Sequence, residues 1–347
     1  MRSPVSDSAS QWLLEQIHSA RGMASLWCLD EHAQGDTPPN ASSLSVITNR
    51  WDQFELTRHA GLNTHFSDFD FSLRADGSLD RVFYRVSKEK PVVHHIINEA
   101  GRCLKPGGEL VLCGHKTDGT KTYIDKASAY LGQREKAKKM GQLYVARLVR
   151  SDRLATPLDD SDYTIPRPIF TDDDVQFFSK PGLFGWQKRD RGSAMLWEQA
   201  APRLQTSGAE TLLDLGCGYG YLGLMTQRLP LKRRVLTDNN AAALAMAAYN
   251  AEHNGIPAEV IGADCGERIT DTFDAVLCNP PFHQGFGVSG DLTDRFLRSA
   301  HTHLTPNGRA WFVVNRFIPL EQKARGLFTH AEVLADRDGF KVIELRS

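Results

Sequence analysis

Residues 211–220 read Thr-Leu-Leu-Asp-Leu-Gly-Cys-Gly-Tyr-Gly: a short apolar run with one acid in it, then glycine at every second position. An apolar run of that length predicts a buried strand. Alternate glycines directly behind it predict a tight turn whose backbone can approach a ligand without a Cβ in the way. The pattern Tyr-Leu-Gly-Leu-Met-Thr-Gln-Arg-Leu that follows is helical. A strand–glycine turn–helix unit calls for further parallel strands, which confines this half of the chain to α/β folds.

The rest of the second half agrees. Strands are predicted at 233–239, 258–264, 273–281 and 309–315, and an Ala-rich helix at 241–254 is closed by Gly255, a natural residue after a helix end. A helix over 291–304 is stopped by Thr305-Pro306-Asn307-Gly308, and residues 330–345 alternate apolar and polar around Asp338-Gly339, a two-residue hairpin signal. The expected sheet is mostly parallel with a C-terminal antiparallel hairpin. The first half has the same texture without the glycine turn: strands at 25–30, 44–49, 79–86 and 108–114, helices at 8–20 and 90–104.

With 347 residues there is room for two domains, and an internal echo suggests that they are one fold used twice. Residues 104–114 and 304–314 share Leu, Pro and Gly at an offset of 200, and 79–88 resembles 273–282 in apolar spacing and in its Asp. A turn propensity common to helix–strand connections competes with duplication as the explanation. The expected boundaries are a domain over 1–153, a Pro- and Asp-rich linker over 154–182 and a domain over 183–347. Where the second copy has Asn279-Pro280-Pro281 the first has Arg85-Val86-Ser87, so a first copy would lack the second copy's chemistry.

Six scattered cysteines without metal-ligand spacing, no long apolar run, and a start without a signal-peptide pattern predict a reduced, cytoplasmic protein with no membrane span. The net charge of −1 gives no overall pull toward nucleic acid, but residues 121–153 are locally basic, either a solvated face or a grip on RNA phosphates. His94-His95 and His301/His303 read as exposed helix residues rather than ligands, and Lys232-Arg233-Arg234 as a solvated turn; no metal site is expected.

Three acids end successive strands, which makes a ligand crevice. Asp214 can receive an ammonium, Asp238 ribose hydroxyls and Asp264 an adenine amino group. Asn279-Pro280-Pro281-Phe282 is the most specific signal. Two prolines end a strand rigidly, which directs the Asn279 side-chain oxygen and the Pro280 carbonyl outward as acceptors for an exocyclic NH2. Phe282 offers a ring for stacking a flipped-out base. His283, next in line, reads better as a structural or contact residue than as a general base.

These motifs together look like the amino-methylating class I S-adenosylmethionine (SAM) methyltransferases. Cys278–Gly285, preceded by 181–197, resembles more narrowly the bacterial ribosomal RNA guanine-N2 methyltransferases, of the small-subunit methyltransferase C and large-subunit methyltransferase G type; the segment 114–122 leans toward the small-subunit member. The resemblance is dense over 181–346 and thinner over 80–150. It implies two tandem methyltransferase-like, Rossmann-like domains, the first non-catalytic, and SAM held by Asp214, Gly216, Gly218, Gly220, Asp238, Asn239, Asp264 and Asn279. It further implies that Asn279, Pro280, Pro281 and Phe282 carry the transfer and that Phe184, Arg189, Arg191 and His283 lie near substrate. One departure is at the family's Phe-Ser-Arg, where this chain has Phe184-Gly185-Trp186 followed by Gln187-Lys188-Arg189. The expected substrate is a guanine of 16S ribosomal RNA, within a 30S subunit or assembly intermediate. Alternatives are 23S RNA, another planar amine (adenine N6, glutamine N5) and a non-enzymatic RNA-binding assembly factor.

Overall fold

The computed structural model describes residues 7–32, 42–281 and 285–347, with side chains of the last stretch from Leu292 onward. The chain divides into two compact units, 1–165 and 166–347.

Unit 1 runs α1 (Ser8–Ser19), β1 (Ser25–Leu29), β2 (Leu44–Thr48), α2 (Trp51–His59), β3 (Asn63–Phe66), β4 (Leu79–Arg85), α3 (Lys90–Cys103), β5 (Leu104–His115), α4 (Thr120–Tyr130), β6 (Lys138–Met140) and β7 (Leu143–Val149). Unit 2 opens with a hairpin, β8 (Arg167–Asp172) and β9 (Val175–Ser179), and continues with α5 (Arg191–Ser207), β10 (Thr211–Leu215), α6 (Tyr221–Met225), β11 (Arg233–Asp238), α7 (Ala241–His253) and β12 (Glu259–Gly262). It ends with β13 (Phe273–Cys278), α8 (Gly285–Thr302), β14 (Leu304–Asn315), α9 (Leu320–Lys323), β15 (His330–Arg337) and β16 (Phe340–Arg346).

The two large sheets have the same plan. Unit 1 orders its strands β3-β2-β1-β4-β5-β7-β6 and unit 2 β12-β11-β10-β13-β14-β16-β15. In each the first five are parallel, and the last two join antiparallel. The turn between β15 and β16 places Asp338 and Gly339 both at positive φ, 52° and 84°, as a two-residue hairpin requires. The strands are apolar on both faces because helices cover both. Leu212, Leu236, Leu277 and Trp311 pack on one side of the unit 2 sheet; Leu213, Val235, Val276 and Phe312 pack on the other.

The repeated Leu-x-Pro-x-Gly has a common physical cause. A Cβ on Gly108 would lie 2.9 Å from the Lys105 carbonyl and 3.1 Å from that of Asp80; one on Gly308 would lie 3.0 Å from the carbonyls of both Phe273 and Thr305. In each unit the chain enters the fifth strand through an irregular register beside the fourth, and only glycine fits there. The strands β5 and β14 consequently begin at Leu104 and Leu304, several residues before the expected starts. The acids match too: Asp80 accepts the Ala24 N–H at 2.8 Å, and Asp274 the N–H groups of Glu210 and Thr211 at 3.0 and 3.1 Å, each tying the fourth strand to the entry of the first.

Within the stretch 154–182, residues 167–179 form the β8–β9 hairpin, whose Val175 and Phe177 belong to the unit 2 core. Several expectations of exposure are corrected. His94, His95 and His303 are buried, because their rings bond to backbone carbonyls: His94 Nδ1 to Asp159, His95 Nε2 to Phe69 at 3.0 Å, His303 Nε2 to Ile269 at 2.9 Å. Arg234 is buried in β11, where its guanidinium donates to the carbonyls of Thr226 and Leu229. No helix among the described residues is long and apolar enough to cross a membrane.

Candidate active site of unit 2

The strand order reverses between β10 and β13, and a doubly wound sheet binds its ligand at the carboxyl ends of such a pair. The glycine turn leaves β10 there, and Asn279 leaves β13. Gly216, Gly218 and Gly220 have φ of 80°, 55° and 89°, which explains the glycine at every second position. The turn is held from below: the Gly216 and Cys217 N–H groups donate to the Thr237 carbonyl at 2.9 Å, and buried Asn250 donates to that of Tyr219 at 2.9 Å.

Asp214 is fully buried at the foot of this turn. Its Oδ2 accepts the Gly223 N–H at 2.7 Å, and its Oδ1 has no hydrogen-bond partner. Burial pushes its carboxyl up to about 7; the Gly223 bond opposes the rise and the Asp238 charge adds to it. Asp238, at the end of β11, accepts the Gly218 N–H at 2.9 Å on one oxygen and the Asn240 N–H at 2.8 Å on the other. Asn239 donates to Asp264 at 3.3 Å, and Arg295 of α8 pairs with the same carboxylate. The fold therefore brings Gly218, Asp238, Asn239 and Asp264 together beside the turn, with Asp214 beneath it.

Asn279 is half-buried, Pro280 buried and Pro281 exposed. The Asn279 amide donates to Asp190 Oδ1 at 2.9 Å and to Ser193 Oγ at 2.8 Å. Phe282 and His283 lie outside the described residues. Of the segment before α5, Phe184 is 71% exposed. Arg189 is paired with Asp172 at 2.6 Å, which raises its basicity, and the Tyr221 hydroxyl donates to the same carboxylate at 2.8 Å. Arg191 is exposed, 3.8 Å from Asp338.

The sequence reading missed Asp190, Asn250 and Arg295; Ser193 belongs to the segment 181–197 that the resemblance brings near the cofactor. Asn250 had a signal, an amide that follows nine mostly apolar residues of the Ala-rich helix. Asp190 had one too: an acid three residues before Ser193 at a helix start is an N-cap pattern.

The residues fit a nucleoside-type methyl donor. A Cβ on Gly218 would meet nothing within 4 Å, which leaves the turn open to a ligand there, the orphaned Asp214 oxygen lacks a donor, and fixed carboxylates stand at or just beyond the ends of β11 and β12. Residues 174–344 match the family model described as Methyltransferase small domain. The ribosomal RNA small subunit methyltransferase C of Pseudomonas aeruginosa (strain UCBPP-PA14) is 34% identical over 251 residues, covering 70% of this chain and 71% of the relative. That of Shewanella loihica is 27% identical over 306 residues, covering 87% and 86%. The solved T. thermophilus 16S rRNA N2 G1207 methyltransferase, in complex with AdoMet and guanosine, superposes with a TM-score of 0.85 at 24% identity, covering 99% of this chain and 92% of its own. The agreement in fold extends over both units. Sequence identity and coverage of the Pseudomonas relative settle the assignment: the chain belongs to the ribosomal RNA small subunit methyltransferase C family.

Proposed function

We propose that unit 2 transfers a methyl group from SAM to the exocyclic N2 of a guanine in 16S ribosomal RNA, and that unit 1 is a non-catalytic platform that helps hold the RNA. The observation that carries this reading is the Asn279 amide: its nitrogen donates to both Asp190 and Ser193, so the group it has to offer a substrate is its acceptor oxygen. The T. thermophilus structure, which holds AdoMet and guanosine, supports the ligand classes.

Asp214 would meet the methionine ammonium at its orphaned oxygen, Asp238 the ribose hydroxyls, and Asp264 with Asn239 the adenine edge. SAM, when bound, supplies an electrophilic methyl. The chain's part is positioning. The Asn279 oxygen and the Pro280 carbonyl accept hydrogen bonds from the two N–H groups of the guanine amine, which turns the nitrogen lone pair toward the methyl and out of conjugation with the ring; the methylated nitrogen then gives one proton to water. Phe282 stacks the extruded base. In unit 1, Arg134, Lys136, Lys138 and Lys139 are exposed around the edge strand β6, and we assign them to RNA phosphates.

The test is tritiated-methyl transfer from SAM to 30S subunits, 50S subunits, naked ribosomal RNA, DNA and protein, with the modified nucleotide then mapped. Labelling of a 16S guanine at N2 supports the proposal. Label confined to 23S RNA, adenine, glutamine or nothing overturns it.

A further inference from the structure

We infer that Asp190 and Ser193 are positioning residues that set the orientation of the Asn279 amide, a role that rests on the reading of Asn279 as the acceptor for the target amine. Asp190 has extended backbone (φ −68°, ψ 130°) and is the N-cap of α5, its Oδ1 accepting the Ser193 N–H at 2.8 Å. The same oxygen accepts the Asn279 amide at 2.9 Å, and Ser193 Oγ accepts it at 2.8 Å. A carboxylate has no proton to donate, so the Asn279 atom facing it must be the nitrogen. The amide oxygen is then held on the side away from Asp190 and Ser193. Without these partners the side chain could turn over and present donors to a donor, which would repel the substrate amine. The approach of the carboxylate also constrains Gly192, where a Cβ would sit 3.1 Å from Asp190 Oδ1.

Unit 1 carries an independent version of this arrangement. Asp7 caps α1 and accepts the Ser10 N–H at 3.0 Å, and the side chain that donates to it from the end of β4 is Arg85, at 3.2 Å. Arg85 is the residue that stands where Asn279 stands in unit 2. In both units the acid at the helix start holds a donor from the end of the fourth strand, but only Asn279 has an acceptor left to offer.

The test uses the full-length protein and the RNA substrate that the unmodified enzyme labels. Asp190→Ser keeps an N-cap but cannot reach Asn279. It is expected to lower kcat about 100-fold, the scale of a misplaced reacting group, with the SAM dissociation constant and Tm nearly unchanged. Asn279→Asp alone sets two carboxylates against each other and is expected to be inactive; adding Asp190→Asn restores a donor–acceptor pair and should recover activity at least tenfold. Full kcat in Asp190→Ser, or no recovery in the double variant, overturns the inference. Asn279→Ala separates the two levels: if it is inactive while Asp190→Ser is fully active, only the positioning role fails, and if it is active, the reading of Asn279 itself fails. Should Asp190→Ser melt early, the exchange pair still decides, since Asn is as good a cap as Asp.

Discussion

Strand register matches the two units residue for residue. Leu26 lies next to Val82 as Leu213 lies next to Val276, and from there the matches run outward. Trp27 stands where unit 2 has Asp214, Thr48 where it has Asp238, Asp68 where it has Asp264, and Arg85 where it has Asn279. Residues 29–32, Leu-Asp-Glu-His, replace Gly-Cys-Gly-Tyr. Trp27 is packed into an apolar cluster, and Arg85 pairs with Asp7 and with Asp118 at 2.8 Å. The helix–sheet framework survives these changes because the strand interiors are apolar in both units. A crevice is thus a thin layer of side chains on a framework that does not need them, and unit 1 has converted that layer into packing and ion pairs.

The largest effect expected from this contrast is at its centre. Asn279→Ala should lower methyl transfer by more than about 1,000-fold, in the range of losing a group that acts chiefly in the transition state, with SAM affinity within a few-fold. The matching change in unit 1, Arg85→Met, should leave SAM affinity unaltered and instead destabilise the unit by about 3–5 kcal/mol, because Asp7 and Asp118 lose a buried counter-ion. Denaturant unfolding and titration calorimetry on both variants check the pair. Loss of transfer in a stably folded Arg85→Met protein would break the comparison.

The next effect concerns the cofactor. Asp238→Ala should weaken SAM binding by about 10–100-fold, the worth of one or two hydrogen bonds to a charged acceptor. Thr48→Ala should leave SAM binding unchanged, and calorimetry should find one SAM per chain. Two sites per chain would show that unit 1 kept a function its residues do not suggest.

Asp214 sharpens the contrast through pH. Burial raises its carboxyl to about 7, so below that pH it must lose a proton before it can meet an ammonium. SAM affinity is therefore expected to fall as pH drops below about 7, by at most about tenfold per unit, and to level off above it; Asp214→Asn should flatten the profile. The sign for the unliganded protein is opposite. Between the ordinary carboxylate range and about 7 the folded state binds the extra proton, so this group favours folding as pH falls through that interval.

Much of this was legible in the chain, for reasons that differ by residue. The glycine turn, the proline pair and Asp338-Gly339 are local: each constrains its own backbone, and each was found where expected. The offset of 200 was legible because Gly108 and Gly308 answer the same steric problem. What escaped depends on partners distant in sequence. Asp190 and Asn279 are 89 residues apart. The polar side chains of His94, His303 and Arg234 gave no hint that carbonyls elsewhere would accept them in the core. The short strands β3 and β6 are four and three residues long, with exposed or half-exposed positions, and carry no apolar pattern to read.

The smallest expected effect falls on Asp68, the counterpart in unit 1 of a crevice acid of unit 2. Asp68 matches Asp264, and both precede a non-glycine residue at φ near 50°, Phe69 and Cys265. In unit 2 that carboxylate faces Asn239 and Arg295; in unit 1 it accepts the Tyr163 hydroxyl at 2.5 Å. Tyr163 is buried, and its ring lies 4.7 Å from that of His95. The chain after β7 thus brings its own aromatic hydroxyl to a carboxylate whose counterpart we assign to a nucleobase. Tyr163→Phe keeps the ring contact and removes only the hydrogen bond, so unit 1 should lose about 1–2 kcal/mol while transfer and SAM binding stay unchanged. Asp264→Asn should do the reverse, weakening SAM binding at little cost in stability. Equal stability losses in the two variants would mean that Asp264 serves the fold as Asp68 does, and the adenine edge would then have to be met by other residues of unit 2.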